Sequence, residues 1–292
     1  MTLTLRISFL QRFWAVLLAP VLLPALLPEL TAQTTPPPPA APAAPSPNAA
    51  VNQEFLTSAS KLYYSSAKAG LTGFQCSVHP DWHALFVAAA KGAEVAPDDP
   101  KVALLNSVTI VLHARMKGGS TMDWNPPTPA QPLDADSTAL LDRMHQASNQ
   151  TLQGFLQFWT PFVDGSVIPD SPDGVEIAAT DKGHILHADQ GGTSLTEVFD
   201  TGNVLKEFNV VMSGAKINFS PSYKPTDKGL LVNAFQAKIQ PPGVDADKAQ
   251  LMNVGIDYQN VGGFVIPSSI QMDVIGTGKL NFLLDQCKAN PE

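Results

Sequence analysis

The chain has 292 residues, 44% of them hydrophobic, and a formal net charge of -8 at pH 7. This length and apolar content are sufficient for about one large domain with a substantial core. The acidic balance argues against a basic face, so we expect no nucleic-acid partner.

Residues 1–33 have the composition of a secretory signal peptide. Two arginines precede an apolar run at residues 13–27, and small residues follow it. The run is shorter than the ~20 apolar residues that a membrane span requires, and Pro20 and Pro24 interrupt it. We therefore expect a periplasmic or secreted protein that is not an integral membrane protein.

Residues 34–50 are rich in proline and alanine and carry no large apolar side chain that would build a core. This composition is typical of an extended polyproline spacer. The sequence therefore predicts a disordered tether over 34–50, followed by a single β-rich domain with a helical lid over 51–292.

The domain is predicted to begin with a helix and a strand. Apolar residues recur at helical spacing over 51–69, and Gly70 ends the pattern. Residues 71–78 alternate like a strand and place Cys76 on the more apolar face. The chain has two cysteines, and a pair in an exported protein indicates a disulfide between Cys76 and Cys287. Two buried free thiols are the alternative.

The middle of the chain mixes helices and loops. Residues 82–91 predict a short helix, and the apolar stretch 101–116 predicts a strand from about Ser107. Residues 118–136 contain several prolines and predict a loop without regular structure.

A long amphipathic helix is predicted next. Asp136 or Ser137 is expected to cap it, and it continues to about Phe162, with Pro161 at its end.

Residues 174–284 consist of short segments rich in β-branched and aromatic residues, separated by turn signals such as Gly-Gly and Asp-Lys-Gly. This pattern predicts an antiparallel β-meander of eight or more strands. The predicted fold class is therefore α+β: a large curved antiparallel half-barrel sheet whose concave face is covered by two or three helices. Incomplete cover would leave an apolar cavity, and complete cover would leave a filled core.

Signals for catalysis or metal binding are weak. His79 and His83 are four residues apart, but Pro80 disfavours a shared helical face and spacing fixes no third ligand. His184 and His187 are expected on opposite faces of a strand. The sequence shows no nucleophile elbow and no complete phosphate loop. We predict no catalytic residue, no metal and no cofactor.

The segment Tyr258-Gln-Asn-Val-Gly-Gly-Phe-Val-Ile-Pro-Ser-Ser-Ile270 and the order of the parts resemble the LolA-like group of exported bacterial proteins, which includes outer-membrane lipoprotein-sorting proteins. The resemblance implies a half-barrel whose concave face, under helices, binds acyl chains or lipidated proteins. Gly262 and Gly263 would form a turn, and Pro267 would lie where the ladder needs no donor. The functional arginine of the sorting carrier matches no position here.

We therefore expect a periplasmic, non-enzymatic binding or carrier protein for a lipid, an acyl chain or a lipidated protein. Two alternatives stay open: an envelope structural or sensing module with a filled core that binds a protein partner, and a hydrolase in which a histidine approaches a serine or a carboxylate. The predicted apolar pocket is lined by Leu141, Met144, Leu152, Phe155 and Trp159 of the long helix and by Phe208, Phe219, Phe235 and Phe264 of the sheet. Any of these residues could equally be plain core.

Overall fold

The computed structural model describes residues 49–90, 94–117, 119–128, 132–275 and 278–291. The predicted signal peptide and nearly all of the predicted tether lie outside the described residues. The described part of the chain is an α+β fold with four α-helices and one twelve-stranded antiparallel sheet. Among these residues, no helix is long and apolar enough to cross a membrane.

The helices are α1 (Ala49–Lys61), α2 (Trp82–Ala89), α3 (Pro100–Asn106) and α4 (Ala135–Asp164). The first strands are β1 (Gly73–Pro80), β2 (Thr109–Arg115), β3 (Thr121–Asn125), β4 (Glu176–Thr180), β5 (Gly183–Gln190) and β6 (Thr193–Phe199). The remaining strands are β7 (Leu205–Met212), β8 (Ala215–Thr226), β9 (Gly229–Gln240), β10 (Gln250–Val261), β11 (Phe264–Val274) and β12 (Gly278–Ala289).

The sheet joins two runs of strands through one long-range pairing. Strands β4 to β12 are each antiparallel to the next strand in the chain, and so are β1 to β3. The two runs meet where β1 pairs with β12. The spatial order is β3-β2-β1-β12-β11-β10-β9-β8-β7-β6-β5-β4, with β3 and β4 at the edges. The sheet is therefore open and half-barrel-like, and the predicted meander is confirmed.

One face of the sheet, which we call the inner face, carries the buried side chains. Burial alternates with a period of two along each strand, as in β6, where Leu195, Glu197 and Phe199 are buried and their neighbours are partly exposed. Register shifts in several strand pairs are consistent with bulges, and Pro267 lies at one of them, between β10 and β11. Gly262 and Gly263, both with positive φ, form the turn there, as predicted.

Cys76 and Cys287 form the predicted disulfide. Cys76 is on the inner face of β1, and the β1–β12 register shifts beside it. Gln286, next to Cys287, has a φ of 49°, so the chain bulges at this point. The crosslink therefore fastens the pairing that unites the two runs of strands, and it is typical of proteins from oxidising compartments.

The predicted helix over 51–69 was wrong in its end, because α1 stops at Lys61. The chain leaves the helix to pair with the start of β9. The Leu230 N–H donates to the Leu62 carbonyl at 2.7 Å, and the Tyr64 N–H donates to the Leu230 carbonyl at 2.9 Å. A tertiary contact thus overrides the local helical pattern.

Two further predictions were wrong, in the segment before α4. The predicted loop over 118–136 contains β3, whose residues precede the first proline and pair with β2. The cap of α4 is Asp134, not Asp136 or Ser137, because the Asp134 side chain accepts the Ser137 N–H at 2.7 Å. The predicted strand from about Ser107 is confirmed by β2.

Replacing both Cys76 and Cys287 with alanine is expected to lower the free energy of unfolding by roughly 4 to 5 kcal/mol. The crosslink joins residues separated by 211 positions and so restricts the unfolded chain strongly. Urea unfolding with and without a reductant measures the difference. Reductant should destabilise the wild type and leave the double variant unchanged. Equal stability of the two proteins would show that β1 and β12 pair without help from the crosslink.

Candidate functional site

The first candidate site is the apolar layer between α4 and the inner face of the sheet. Helix α4 extends from the Asp134 cap to Gly165, which ends it in a left-handed conformation with a φ of 80°. Its apolar residues recur at helical spacing and so form one stripe. The buried apolar residues of this stripe are Leu140, Leu141, Leu152, Phe155, Leu156, Phe158, Trp159, Phe162 and Val163.

Phe158 connects the helix to the sheet in this layer. Its ring centroid lies 3.9 Å from that of Phe219 and 4.2 Å from that of Phe235. Phe219 lies 6.1 Å from Phe208 on the neighbouring strand. Sequence analysis missed Phe158, although its spacing of three from Phe155 places it on the same helical stripe.

The predicted pocket residues all belong to this core. Leu141, Leu152, Phe155, Trp159, Phe219 and Phe235 are buried. Met144, Phe208 and Phe264 are partly buried and pack against the same cluster. The structure thus brings together the predicted aromatic residues of α4 and of β8 and β9, and their rings contact one another.

A pair of hydrogen bonds orients the most buried aromatic residue of α4. The Trp159 Nε1–H donates to the Tyr258 hydroxyl oxygen at 3.0 Å, and the Tyr258 hydroxyl donates to the Val232 carbonyl. Trp159 also meets Phe74 of β1 edge to face, with centroids 6.0 Å apart. Burial raises the pKa of Tyr258 well above its ordinary value, while the bond from Trp159 opposes this shift. Trp159 therefore contacts both runs of strands.

The second candidate site is a set of polar side chains on the inner face, which we call the inner polar group: Glu197, His184, Tyr63 and Tyr223. Glu197 on β6 is 0% exposed. Sequence analysis did not select it, although strict alternation with Leu195 places it on the buried face. The group lies beside the apolar layer, because Glu197 pairs with Phe208 in the register of β6 and β7.

The two tyrosines of this group meet edge to face, with ring centroids 5.3 Å apart. The Leu205 N–H donates to the Tyr63 hydroxyl oxygen at 2.7 Å. The Tyr223 hydroxyl is buried near Tyr63, but no hydrogen bond of ordinary geometry joins it to another described group. It is therefore a candidate donor or acceptor for a bound molecule.

Burial raises the pKa of Tyr63 to about 12, the Leu205 amide and the Tyr223 hydroxyl oppose the shift, and the carboxylates of Glu197 and Asp200 add to it. The pKa of Tyr223 is raised further, first by burial and then by Tyr63 and Glu197. Both phenols are therefore held in their neutral, hydrogen-bonding form.

His184 completes the inner polar group. It pairs with Phe199 in the register, which places it diagonally across from Glu197 on the same face. Its ring stacks on Phe55 of α1 with centroids 4.1 Å apart. Its Nδ1 atom is buried and makes no hydrogen bond to the described residues.

The other histidines lie at the surface. His79 approaches Asp285 at 3.0 Å, whereas His83 approaches the Val95 carbonyl at 3.2 Å, so these two imidazoles do not share a site. His187, on the opposite face from His184 as predicted, has its own carboxylate partner, Asp189. No cluster of three or more histidine, cysteine, aspartate or glutamate side chains in the described ranges is arranged for a metal ion.

His187 bears on the hydrolase alternative. Its Nε2 lies 2.9 Å from the Asp189 carboxylate, and its Nδ1 lies 3.2 Å from the Thr196 hydroxyl oxygen. A hydrolytic site also needs oxyanion donors and exclusion of water. Here the Asp189 side chain is 68% exposed on the outer face of the sheet. Cross-strand register alone explains these contacts, since Thr196 is directly opposite His187.

A surface depression of about 410 Å³ adjoins this polar ladder at the turn between β5 and β6. It is lined by Asp189, Gly191, Gly192, Thr193, Ser194 and Val211. Both glycines have positive φ, which a tight hairpin turn requires. The depression thus follows from the turn, and we assign it no chemistry.

Comparison with protein-family models, with curated proteins and with solved structures found no match. The resemblance to LolA-like proteins therefore stays a prediction.

Replacing Tyr258 with phenylalanine is expected to lower the free energy of unfolding by roughly 1 to 3 kcal/mol, because buried polar groups of Trp159 and Val232 lose a partner. Urea unfolding measures the change. Tyr64→Phe is the control, since the Tyr64 hydroxyl receives a longer bond, 3.3 Å, from the Val265 N–H. Equal stabilities of wild type and Tyr258→Phe would show that the hydroxyl does not hold α4 in place.

The buried tyrosines predict a loss of stability in alkali. A pKa raised on folding means that the folded state keeps its proton longer, so stability is constant below about pH 10 and falls as the pH rises towards 12. Tyrosinate absorbance, recorded for native and urea-unfolded protein, measures this. Native protein should ionise fewer tyrosines between these pH values. Identical titration curves would contradict the burial of Tyr63 and Tyr223.

Proposed function

We propose that the protein is a periplasmic, non-enzymatic binding or carrier protein for a lipid, an acyl chain or a lipidated protein, with a LolA-like arrangement of sheet and helices. The ligand would lie between α4 and the inner face. The observation that supports this most is the layer around Phe158, in which both the helix and the sheet present aromatic rings. Apolar surfaces facing each other across an open sheet are what an apolar ligand requires.

The attachment of α4 is compatible with entry of such a ligand. Its contacts with the sheet are mainly apolar and therefore non-directional, so an acyl chain can replace the contacts of Phe158. Among its few polar anchors are the bond from Trp159 to Tyr258 and the bond from the Ser65 hydroxyl to the Val163 carbonyl at 3.0 Å. Residues 165–175, which follow α4, contain turns and bends and no helix or strand. A tilt of α4 would open the layer.

Two features support a periplasmic or secreted location. The first 33 residues match the pattern of a signal peptide. The disulfide between Cys76 and Cys287 is of the kind that persists in oxidising compartments.

The second candidate function is an envelope structural or sensing module that binds a protein partner. It is favoured by the close packing of the layer, where Trp159 is 0% exposed and Phe219 is 1% exposed. In that case the aromatic residues are a filled core, and the outer face or an edge strand would carry the interaction.

Lipid binding by the whole protein separates the two functions. Protein purified without detergent from a periplasmic fraction is incubated with phospholipid vesicles and examined by native mass spectrometry. We expect a lipid adduct on the wild type. Replacing Phe208, at the margin of the layer, with glutamine should weaken lipid binding by roughly tenfold or more, since a buried phenyl group is lost from the contact.

The matched control is Val211→Gln, because Val211 lies on the same strand but is 40% exposed on the outer face. Near-ultraviolet circular dichroism establishes that both variants are folded. A wild-type mass without adduct, together with a melting temperature that vesicles do not change, would overturn the carrier function and support the module with a filled core.

A further inference from the structure

The inner polar group is not needed for binding an apolar chain, yet it lies next to the apolar layer. In the sheet register Glu197 is directly opposite Phe208, and Phe208 is directly opposite Phe219. Phe219 in turn contacts Phe158 of α4. The carboxylate of Glu197 is therefore two strands from the centre of the layer and on the same face. At this distance, one amphiphile can reach both.

The charge of this region has one sign. The buried polar and charged residues in the described part of the chain are Ser65, Ser66, Ser148, Thr193 and Glu197. Among them Glu197 alone carries a formal charge, and this set includes no lysine or arginine. A site for a carboxylate or phosphate head group would be expected to present a cation. This face presents a carboxylate instead.

The hydrogen-bonding capacity of the group is also suited to a donor. The Glu197 carboxylate accepts hydrogen bonds, and the Tyr223 hydroxyl and the His184 Nδ1 atom have no hydrogen bond to described residues. An ammonium group has three donors and no acceptor. It can therefore be bound by the carboxylate and by the phenol oxygen at the same time.

We propose that the inner polar group binds the head group of an amphiphile, and that this head group is a cationic amine rather than a carboxylate or a phosphate. The inference rests on the proposed function, since the apolar chain of the same ligand would occupy the layer under α4. It adds the class of ligand and its orientation, with the head group towards β5 and β6. A buried carboxylate would reject an anionic head group by repulsion and by the cost of desolvation.

The test uses three probes of equal chain length: dodecylamine, dodecanol and dodecanoic acid. Binding to the exported, detergent-free protein is followed by titration calorimetry at neutral pH. The amine should bind roughly tenfold or more tightly than the acid, and the alcohol should lie between them. Glu197→Gln should remove most of the preference for the amine. Glu207→Gln is the matched control, because Glu207 is an exposed carboxylate on the neighbouring strand β7.

The outcomes distinguish the two proposals. Binding of all three probes with equal affinity, or an amine preference that persists in Glu197→Gln, would overturn the inference and leave the carrier function intact; Glu197 would then be a structural group compensated inside the protein. Binding of none of the probes would overturn the carrier function as well. If Glu197→Gln does not fold, the wild-type preference and Tyr223→Phe decide, since loss of the hydroxyl should weaken amine binding several-fold.

Discussion

The pairing of β1 with β12 is the constraint on which the rest of the structure depends. Every other pair in the sheet joins strands that follow one another in the chain, so each can form with a modest loss of chain entropy. The β1–β12 pair instead unites the two ends of the domain. The disulfide lies within this pair, where it restricts the unfolded chain most.

The helical layer depends on the same pairing. Trp159 of α4 packs on Phe74 of β1 and donates a hydrogen bond to Tyr258 of β10, so it contacts strands from both runs. If β1 and β12 separated, Trp159 would lose one of these two surfaces. The disulfide therefore acts on the candidate apolar site as well as on the sheet, although it is in contact with neither Phe158 nor Glu197 in the printed register.

Local chemistry explains what the sequence could predict. Turns such as that at Gly262 and Gly263 are determined by neighbouring residues, and alternation then sets the buried face of each strand. The end of α1 depends on pairing of Leu62 with Leu230, which lies far along the chain, so no local pattern could show it. Strand β3 was missed because the prolines that follow it made the whole segment look irregular. The sheet order is likewise a tertiary property.

The candidate sites show the same division. Helical spacing selected Phe155 and Trp159, and it would have selected Phe158 had it been applied to every position. Glu197 is different, because alternation places it on the buried face while its charge argues for the outer face. Where two such rules conflict, the exception is expected at functional or strained positions.

That conflict at Glu197 also bears on how the inner face works. A buried carboxylate destabilises a fold unless cations or hydrogen-bond donors compensate it or it takes up a proton. An apolar residue between Leu186 and Phe208 would simply continue the core, with no such cost. The carboxylate and the neutral phenols beside it give the inner face two chemically distinct parts. A face of uniform apolar character can hold an acyl chain in either direction, whereas a face with one polar end fixes which end of the ligand enters first.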